Sequence, residues 1–340
     1  MATRMDILEE LSSMGSLVDS LLRRYLLRGS SREFSEVLLH QVEAGGKRLR
    51  PALTLLVCEA AGGRRDDAMN VAVAMELVHT YSLIFDDIID RGELRRGKPT
   101  TRKKYGDPMA LLAALHYREV ISEVVNDGAS PARLHGLVSG MIKNLVEGER
   151  IDVLYEQAGR QDAYIKRVRK TEPNWSTYER IVSLKTASLM RACAEAGAIA
   201  AGAPDEIVRA VGDYAGRAGE AFQIVDDVLD VFGEQTKLGK QIGKDIAEHK
   251  LGNAVVLLAL DELKGSKRRA LLSILRKERV TRKDISRAIE LMKETKCKER
   301  ALALARQKVV SAKEALKPLP DTNAKKRLEE LADSFVTREF

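Results

Sequence analysis

From Pro204 to Pro318 the sequence runs without a proline. Proline inside a helix removes a hydrogen bond and clashes with the preceding turn, so this stretch has room for several uninterrupted helices. Ala, Leu, Glu, Lys and Arg, the strong helix formers, dominate here and elsewhere. The alternation of apolar and polar residues that marks a half-buried strand is nearly absent. All 340 residues include only eight prolines, with 44% hydrophobic and 31% charged residues. That composition is globular, and the chain is long enough to bury a sizeable core. No low-complexity linker or compositional break divides it. The expected fold is all-α: a single large helical bundle over residues 1–340.

Several helices can be placed. "PALTLLVCEAAG" stops at Gly62 and Gly63. "DDAMNVAVAMELVHTYSLIFDDIID" is apolar almost all round and should be buried. "MALLAALHYREVISEVV", "HGLVSGMIKNLVEGERIDVLYE", "SLKTASLMRACAEAGAIAAGA", "IVRAVGDYAGRAGEAFQIVDDVLDVFG" and "LGNAVVLLALDEL" follow, then Lys-rich helices to the end. The basic, weakly apolar stretch from Arg160 to Lys170 reads as an exposed loop or helix end.

Cys58, Cys193 and Cys297 have no metal-ligand spacing, and an odd count speaks against a disulfide framework. A reducing cytoplasm is the expected compartment. The amphipathic N-terminus does not read as a signal peptide, and nowhere do eighteen apolar residues run together, so no stable membrane anchor is expected. A net charge of +7 fits nucleic acid, a membrane surface or an anionic small molecule. Aromatics at 4% leave few stacking platforms, and no nucleic-acid signature is present. No nucleic-acid partner is expected.

The aspartates narrow the choice. Asp86, Asp87 and Asp90 fall within an arc of about 100° on a helix. Two like charges at 4 Å repel by about 4 kcal/mol at an intermediate effective dielectric, so on a buried helix they need a cation. Oxygen-only donors favour hard ions such as magnesium. One cluster alone is also what an acidic helix end beside basic neighbours looks like. The pattern recurs, however: Asp226, Asp227 and Asp230 repeat D-D-x-x-D inside a second apolar helix. Two copies suit facing walls of one polynuclear metal site.

Cations accompany them. "GGKRLRP" offers Lys47, Arg48 and Arg50 after a flexible glycine pair, without the order of a nucleotide P-loop. Arg95, Arg96, Lys185, Lys240 and Lys250 add more. Guanidinium forks match phosphate oxygens and ammonium groups act as point charges, so metals plus these cations suit one or two diphosphates. Glu76 and His79 form a Glu-x-x-His, but the di-iron bundle chemistry wants two such motifs and no second one is present.

"GGKRLRP", "ELVHTYSLIFDDIIDRGELRRGKPT", "LKTASL", "AFQIVDDVLD" and "LGKQIGKDI", in this order, resemble the trans-isoprenyl diphosphate synthases, or polyprenyl synthetases, most strongly over residues 45–260. The resemblance implies a helical bundle of the isoprenoid synthase type, about ten helices around a deep central cavity, usually as a homodimer. It implies that an allylic diphosphate (dimethylallyl, geranyl or farnesyl) ionises, isopentenyl diphosphate attacks the cation and a proton is lost. By resemblance, Asp86, Asp87, Asp90, Asp226, Asp227 and Asp230 hold magnesium, three ions per site. Arg95, Lys185, Lys240 and Lys250 contact the allylic diphosphate. Lys47, Arg50, His79 and Arg96 bind isopentenyl diphosphate. Thr186 and Gln223 place oxygens near the developing carbocation.

Tyr81 stands five residues before Asp86, about 7.5 Å down the helix axis, where an aromatic ring can stop a growing tail; Ser82 beside it is small. With an uninserted first motif, this resembles archaeal-type geranylgeranyl diphosphate synthases, and a twenty-carbon product is expected. A fifteen-carbon product or a mixture is the alternative. A class I terpene cyclase would need no "GGKRLRP". A non-catalytic subunit would tend to lose the aspartates or arginines that are present here. Leu115, Glu149, His249 and Phe85 depart from the usual family residues, and residues 160–173 form a longer stretch than is usual.

Overall fold

The helix formers and sparse prolines give helices almost throughout. The computed structural model describes residues 6–233 and 242–337. Eighteen α-helical segments and one π-helical turn occur among them, with a single two-stranded antiparallel ribbon. The all-α expectation is met. The helical segments outnumber ten even when the three short ones, Thr101–Tyr105, Ala163–Val168 and Lys244–Ala247, are set aside.

Two compact units are distinguished. The first comprises Met1–Ile142, Leu189–Ala215 and Ala315–Leu331. Its centre is the helix Arg65–Ile89, which packs against Leu49–Ala60 and Asp107–Asn126. Val71 to Val78 are all buried, Glu76 included, as an all-round apolar helix requires. By length and composition this helix would also suffice to cross a membrane, but 61% of its most apolar window is buried inside the protein. It is therefore read as a core helix. Leu49–Ala60 ends where Gly62 takes φ 92°, the predicted glycine stop. All three cysteines are buried and free.

The second unit comprises Lys143–Ser188, Gly216–Glu314 and Ala332–Phe340. Trp175–Val182 packs on Ala254–Glu262, which in turn meets Arg282–Lys293. Each of these helices starts on a side-chain cap. Asn174 accepts the amides of Ser176 and Thr177 at 2.9 and 3.3 Å, and Asn253 those of Val255 and Val256 at 2.9 and 3.2 Å. Thr281 and Asp284 form a reciprocal capping box.

The helix read from "SLKTASL" onward begins earlier and is not regular. Trp175–Val182 continues as a π-helical turn, Ser183–Ala187, and then as Ser188–Ala200. Such turns insert one extra residue into a helix and collect at functional sites. The ribbon, Leu94–Arg95 with Lys98–Pro99, follows directly on the first aspartate motif and was not expected from the sequence.

Candidate active site

The first aspartate cluster sits at the end of Arg65–Ile89, with Asp90 as the residue after its last turn. The carboxyl end of a helix carries partial negative charge, so three carboxylates there call for cations. The ribbon supplies one. Its turn residues Arg96 and Gly97 both have positive φ, 54° and 76°, the twist that suits a two-residue hairpin. The Arg95 guanidinium forks buried Asp87, with Nε at 3.1 and 3.0 Å from the two carboxylate oxygens and Nη2 at 2.8 Å. Burial lowers the guanidinium's proton affinity, but Asp87, with Asp86 and Asp90 behind it, raises it overall. Thr100 ties the ribbon down by donating to Gly92 O at 2.7 Å.

Of the cations in "GGKRLRP", Lys47 is exposed and Arg50 half-buried. Arg48 is an anchor: buried, at φ 48°, it donates to Asp19 (2.8 Å), Glu76 (3.0 Å) and Val42 O (3.2 Å). Glu76 is thus an ion-pair partner. Its proton affinity is raised by burial, against the pull of Arg48, Arg50 and Arg96. His79, one turn along, is driven well below the usual imidazole range by burial and by Arg50, Arg96, Arg95 and Arg48. The ring is neutral, among four guanidinium groups. Arg96 itself is pushed down by burial and by its neighbouring arginines, against the pull of Glu76. A β-carbon built on Gly46 would lie 2.6 Å from the Arg96 guanidinium, so glycine there makes room for that group. Lys47, Arg50, His79 and Arg96 come from one unit, and the arrangement around His79 suits a polyanion.

Tyr81 and Phe85 lie one turn apart on the same helix and meet edge to face, ring centroids 5.0 Å apart. Ser82 donates to His79 O at 2.9 Å. Phe85, noted in the sequence only as unusual, therefore extends the aromatic surface of Tyr81.

The second unit holds the other cluster, near the end of the helix Asp205–Phe232. Buried Asp227 is a hub. Its Oδ2 accepts the Tyr178 hydroxyl and the Ala254 amide, both at 2.8 Å, and its Oδ1 accepts Gln223 Nε2 at 2.9 Å. Gln223 in turn accepts the Thr186 hydroxyl at 2.8 Å. Thr186 and Gln223 are thus brought together, as one chain of hydrogen bonds ending on the carboxylate. Asp230 accepts the amides of Lys244 and Asp245 at 3.1 and 3.2 Å. Burial, then the charge of Asp245, push Asp227 and Asp230 up; burial also pushes up Asp245.

Lys185 and Lys250 converge on Asp152, at 2.9 and 3.7 Å. Lys185 also pairs with Glu149, and Lys250 with Glu248 at 3.0 Å. Burial works against the charged form of Asp152, but Lys185 and Lys250 bring it down to about 2. His249 does not displace Lys250. It takes the left-handed conformation (φ 63°) that glycine prefers and turns its ring to Leu275 O, 3.2 Å away. Lys240 lies outside the described residues.

Sequence reasoning did not assign Tyr178, Asp152, Asp245 or Gly148. Asp245 lies in the quoted "LGKQIGKDI", and the helical spacing of Glu149, Asp152 and Glu156 was the available signal for Asp152. Gly148 has no charge to draw notice, yet a β-carbon there would lie 3.0 Å from both Leu184 Cβ and the Lys185 amide. Gly148→Ala is therefore expected to shift the π turn that carries Lys185 and Thr186 and to lower kcat at least about tenfold, since small misplacements are costly to catalysis. Steady-state kinetics beside a circular dichroism melt would test this. Unchanged turnover in a folded variant would remove the turn from the argument.

The donor set fits magnesium. All six aspartates offer hard oxygen donors, and Asp245 lies close enough to Asp227 and Asp230 for its charge to bear on both. Among the described residues no three Asp, Glu, His or Cys side chains gather closely enough to hold an ion alone. Magnesium is commonly held by one or two carboxylates, with its shell completed by substrate phosphate and water.

The family model described as polyprenyl synthetase matches residues 31–292. The chain is 35% identical over 339 residues to a short chain isoprenyl diphosphate synthase of Methanothermobacter thermautotrophicus, covering 98% of this chain and 99% of that one. It is 34% identical to a geranylfarnesyl diphosphate synthase of Aeropyrum pernix, over 88% and 92% of the two chains. The crystal structure of a geranylgeranyl pyrophosphate synthetase from Pyrococcus horikoshii superposes with a TM-score of 0.87 at 32% identity, over 98% of each chain. With both aspartate motifs and their cations in place, the chain belongs to the polyprenyl synthetase family and is a prenyltransferase.

Proposed function

We propose that this chain is a short-chain trans-prenyltransferase that condenses isopentenyl diphosphate with allylic diphosphates to give geranylgeranyl diphosphate. The gathering of Arg50 and Arg96 beside His79, with Gly46 leaving room for the Arg96 guanidinium, supports this reading. A site for a polyanion keeps its cations close together, where the bound charge offsets their mutual repulsion. Lys47, Arg50, His79 and Arg96 then hold isopentenyl diphosphate. Arg95, Lys185, Lys250 and Lys240 serve the allylic diphosphate.

Asp86, Asp87, Asp90, Asp226, Asp227 and Asp230 would hold magnesium, three ions in all. Bound there, the metal supplies Lewis-acid stabilisation of diphosphate charge. The chain's own contribution is fixed positive charge aimed at the leaving group. Asp152 keeps Lys185 and Lys250 in place. Thr186 donates its hydroxyl proton to Gln223, so its oxygen can act only as an acceptor toward a nearby carbocation. No side-chain nucleophile is required, and the released diphosphate accepts the final proton.

A second copy of the chain is the expected partner. Leu111, Leu112 and Leu115 are exposed along one side of the helix Asp107–Asn126 and offer an apolar face for it. The proposed compartment is the cytoplasm.

The Tyr81–Phe85 pair sets the proposed product length. A paired ring also narrows the available space, which favours fifteen carbons as the second reading. Incubation with magnesium, labelled isopentenyl diphosphate and each starter should yield geranylgeraniol after dephosphorylation. Absence of any magnesium-dependent product would overturn the proposal. Tyr81→Ala should shift the product to longer chains in the same assay; an unchanged product would mean that the ring is only packing.

A further inference from the structure

Residues 160–173 have no part in the chemistry above, yet their composition is unusual. Between Arg160 and Lys170 there are five basic residues and one acidic; between Arg276 and Lys283 there are again five and one. The fold brings these segments together. Gln161 donates to Glu278 at 2.9 Å, and Arg276 donates to Thr171 O at 3.4 Å, across 117 and 105 positions of sequence. His249 is wedged between them, beside Gly159 on one side and Leu275 on the other.

Pairing quenches little of this charge. Arg160 is held by Glu156 and Lys277 by Asp284. Lys166, Arg167, Lys170, Arg279, Arg282 and Lys283 are exposed, with no carboxylate within 4 Å among the described residues. Among them stands the short helix Ala163–Val168 with Tyr164 63% exposed, its ring 5.5 Å from the Arg167 guanidinium. An exposed tyrosine ringed by lysine and arginine matches the headgroup layer of a bilayer: the ring sits at the interface and the cations meet anionic lipid. A single ring held by its own arginine is a poor stacking platform for nucleic acid.

We propose that residues 160–170 and 276–283 together form a docking surface for an anionic phospholipid bilayer. The choice of a bilayer rests on the prenyl-transfer reading, because a diphosphate with a long hydrocarbon tail partitions into lipid. Docking beside the bilayer shortens the product's path through water. The contact is peripheral and reversible, as expected for a basic patch without an inserted anchor.

Co-sedimentation of the full chain with vesicles, without substrates, tests this. Vesicles of phosphatidylcholine with a third phosphatidylglycerol should carry the protein down, pure phosphatidylcholine should not, and raised salt should release it. The variant K166E/R167E/R279E/K283E should lose at least about 100-fold in partitioning, since each basic residue contributes about fivefold. Tyr164→Ser should lose several-fold. The double variant K166E/R167E should lose at least about tenfold, whereas the control K293E/K296E, with the same number of charge reversals as that double variant but away from the patch, should bind like the unaltered chain.

Failure to sediment with anionic vesicles overturns the proposal, as does an equal loss in the control. An RNA homopolymer that displaces the protein from vesicles and shows the same variant losses would also overturn it, in favour of nucleic acid. Prenyl transfer on soluble substrates, assayed without vesicles, is read separately. A chain that docks but transfers nothing sinks the functional reading and not the surface.

Discussion

Asp227→Asn is expected to lower turnover by about 10⁴-fold while leaving the chain folded. The substitution removes a charge and keeps the shape. The asparagine oxygen can take the place of Oδ2 and accept from both Tyr178 and Ala254, which donate there at 2.8 Å. Its amide nitrogen then faces Gln223, which answers by reversing its own amide, and Thr186 turns its hydroxyl proton away. Every hydrogen bond survives with the chain from Thr186 to Asp227 reversed. A metal's charge stabilisation amounts to several kcal/mol, and each 1.36 kcal/mol is tenfold in rate. Comparison of kcat and melting temperature for the two proteins separates the cases. A matched fall in stability would make Asp227 a packing residue, and near-normal turnover would remove it from the metal site.

Arg96→Met should raise the KM for isopentenyl diphosphate by about 10²–10⁴-fold, yet make the substrate-free chain more stable. Two charge-assisted hydrogen bonds to a diphosphate contribute about 1.5–3 kcal/mol each. Without substrate the balance reverses, because burial together with Arg95, Arg48 and Arg50 outweighs the pull of Glu76 on the Arg96 charge. Methionine keeps the bulk and drops the repulsion, so Tm should rise by about 1–3 °C. Thermal melts with and without isopentenyl diphosphate test both parts: the ligand should raise Tm for the unaltered chain and fail to do so for the variant. A variant that melts lower and still responds to ligand would mean that Arg96 is a structural anchor like Arg48.

What the sequence disclosed follows from where its signals are strong. The helix Arg65–Ile89 was legible because its apolar residues recur on every side, and both aspartate clusters because like charges inside apolar helices are costly. The ribbon was not, since strands of two residues have no periodicity to read. Nor was the π turn, which leaves composition unchanged. "GGKRLRP" gave three cations without telling them apart, and only the fold shows Arg48 held by Asp19 and Glu76. Asp152 was not singled out in the sequence, because one acid on a mixed helix carries no signal, and only the fold shows Lys185 and Lys250 sharing it.

The π turn at Ser183–Ala187 has a consequence for how such a chain can change over generations. Its surplus residue offsets the helix after it by about 100° relative to a regular continuation. A point substitution alters a side chain but does not alter the residue count, so it cannot remove the offset. Only the deletion of one residue straightens the helix, and that single event would rotate either Lys185 and Thr186 or everything after them out of register. The turn is thus fixed against gradual drift: point substitutions can exchange Lys185 and Thr186 or nudge them through a neighbour such as Gly148, but they cannot remove the offset.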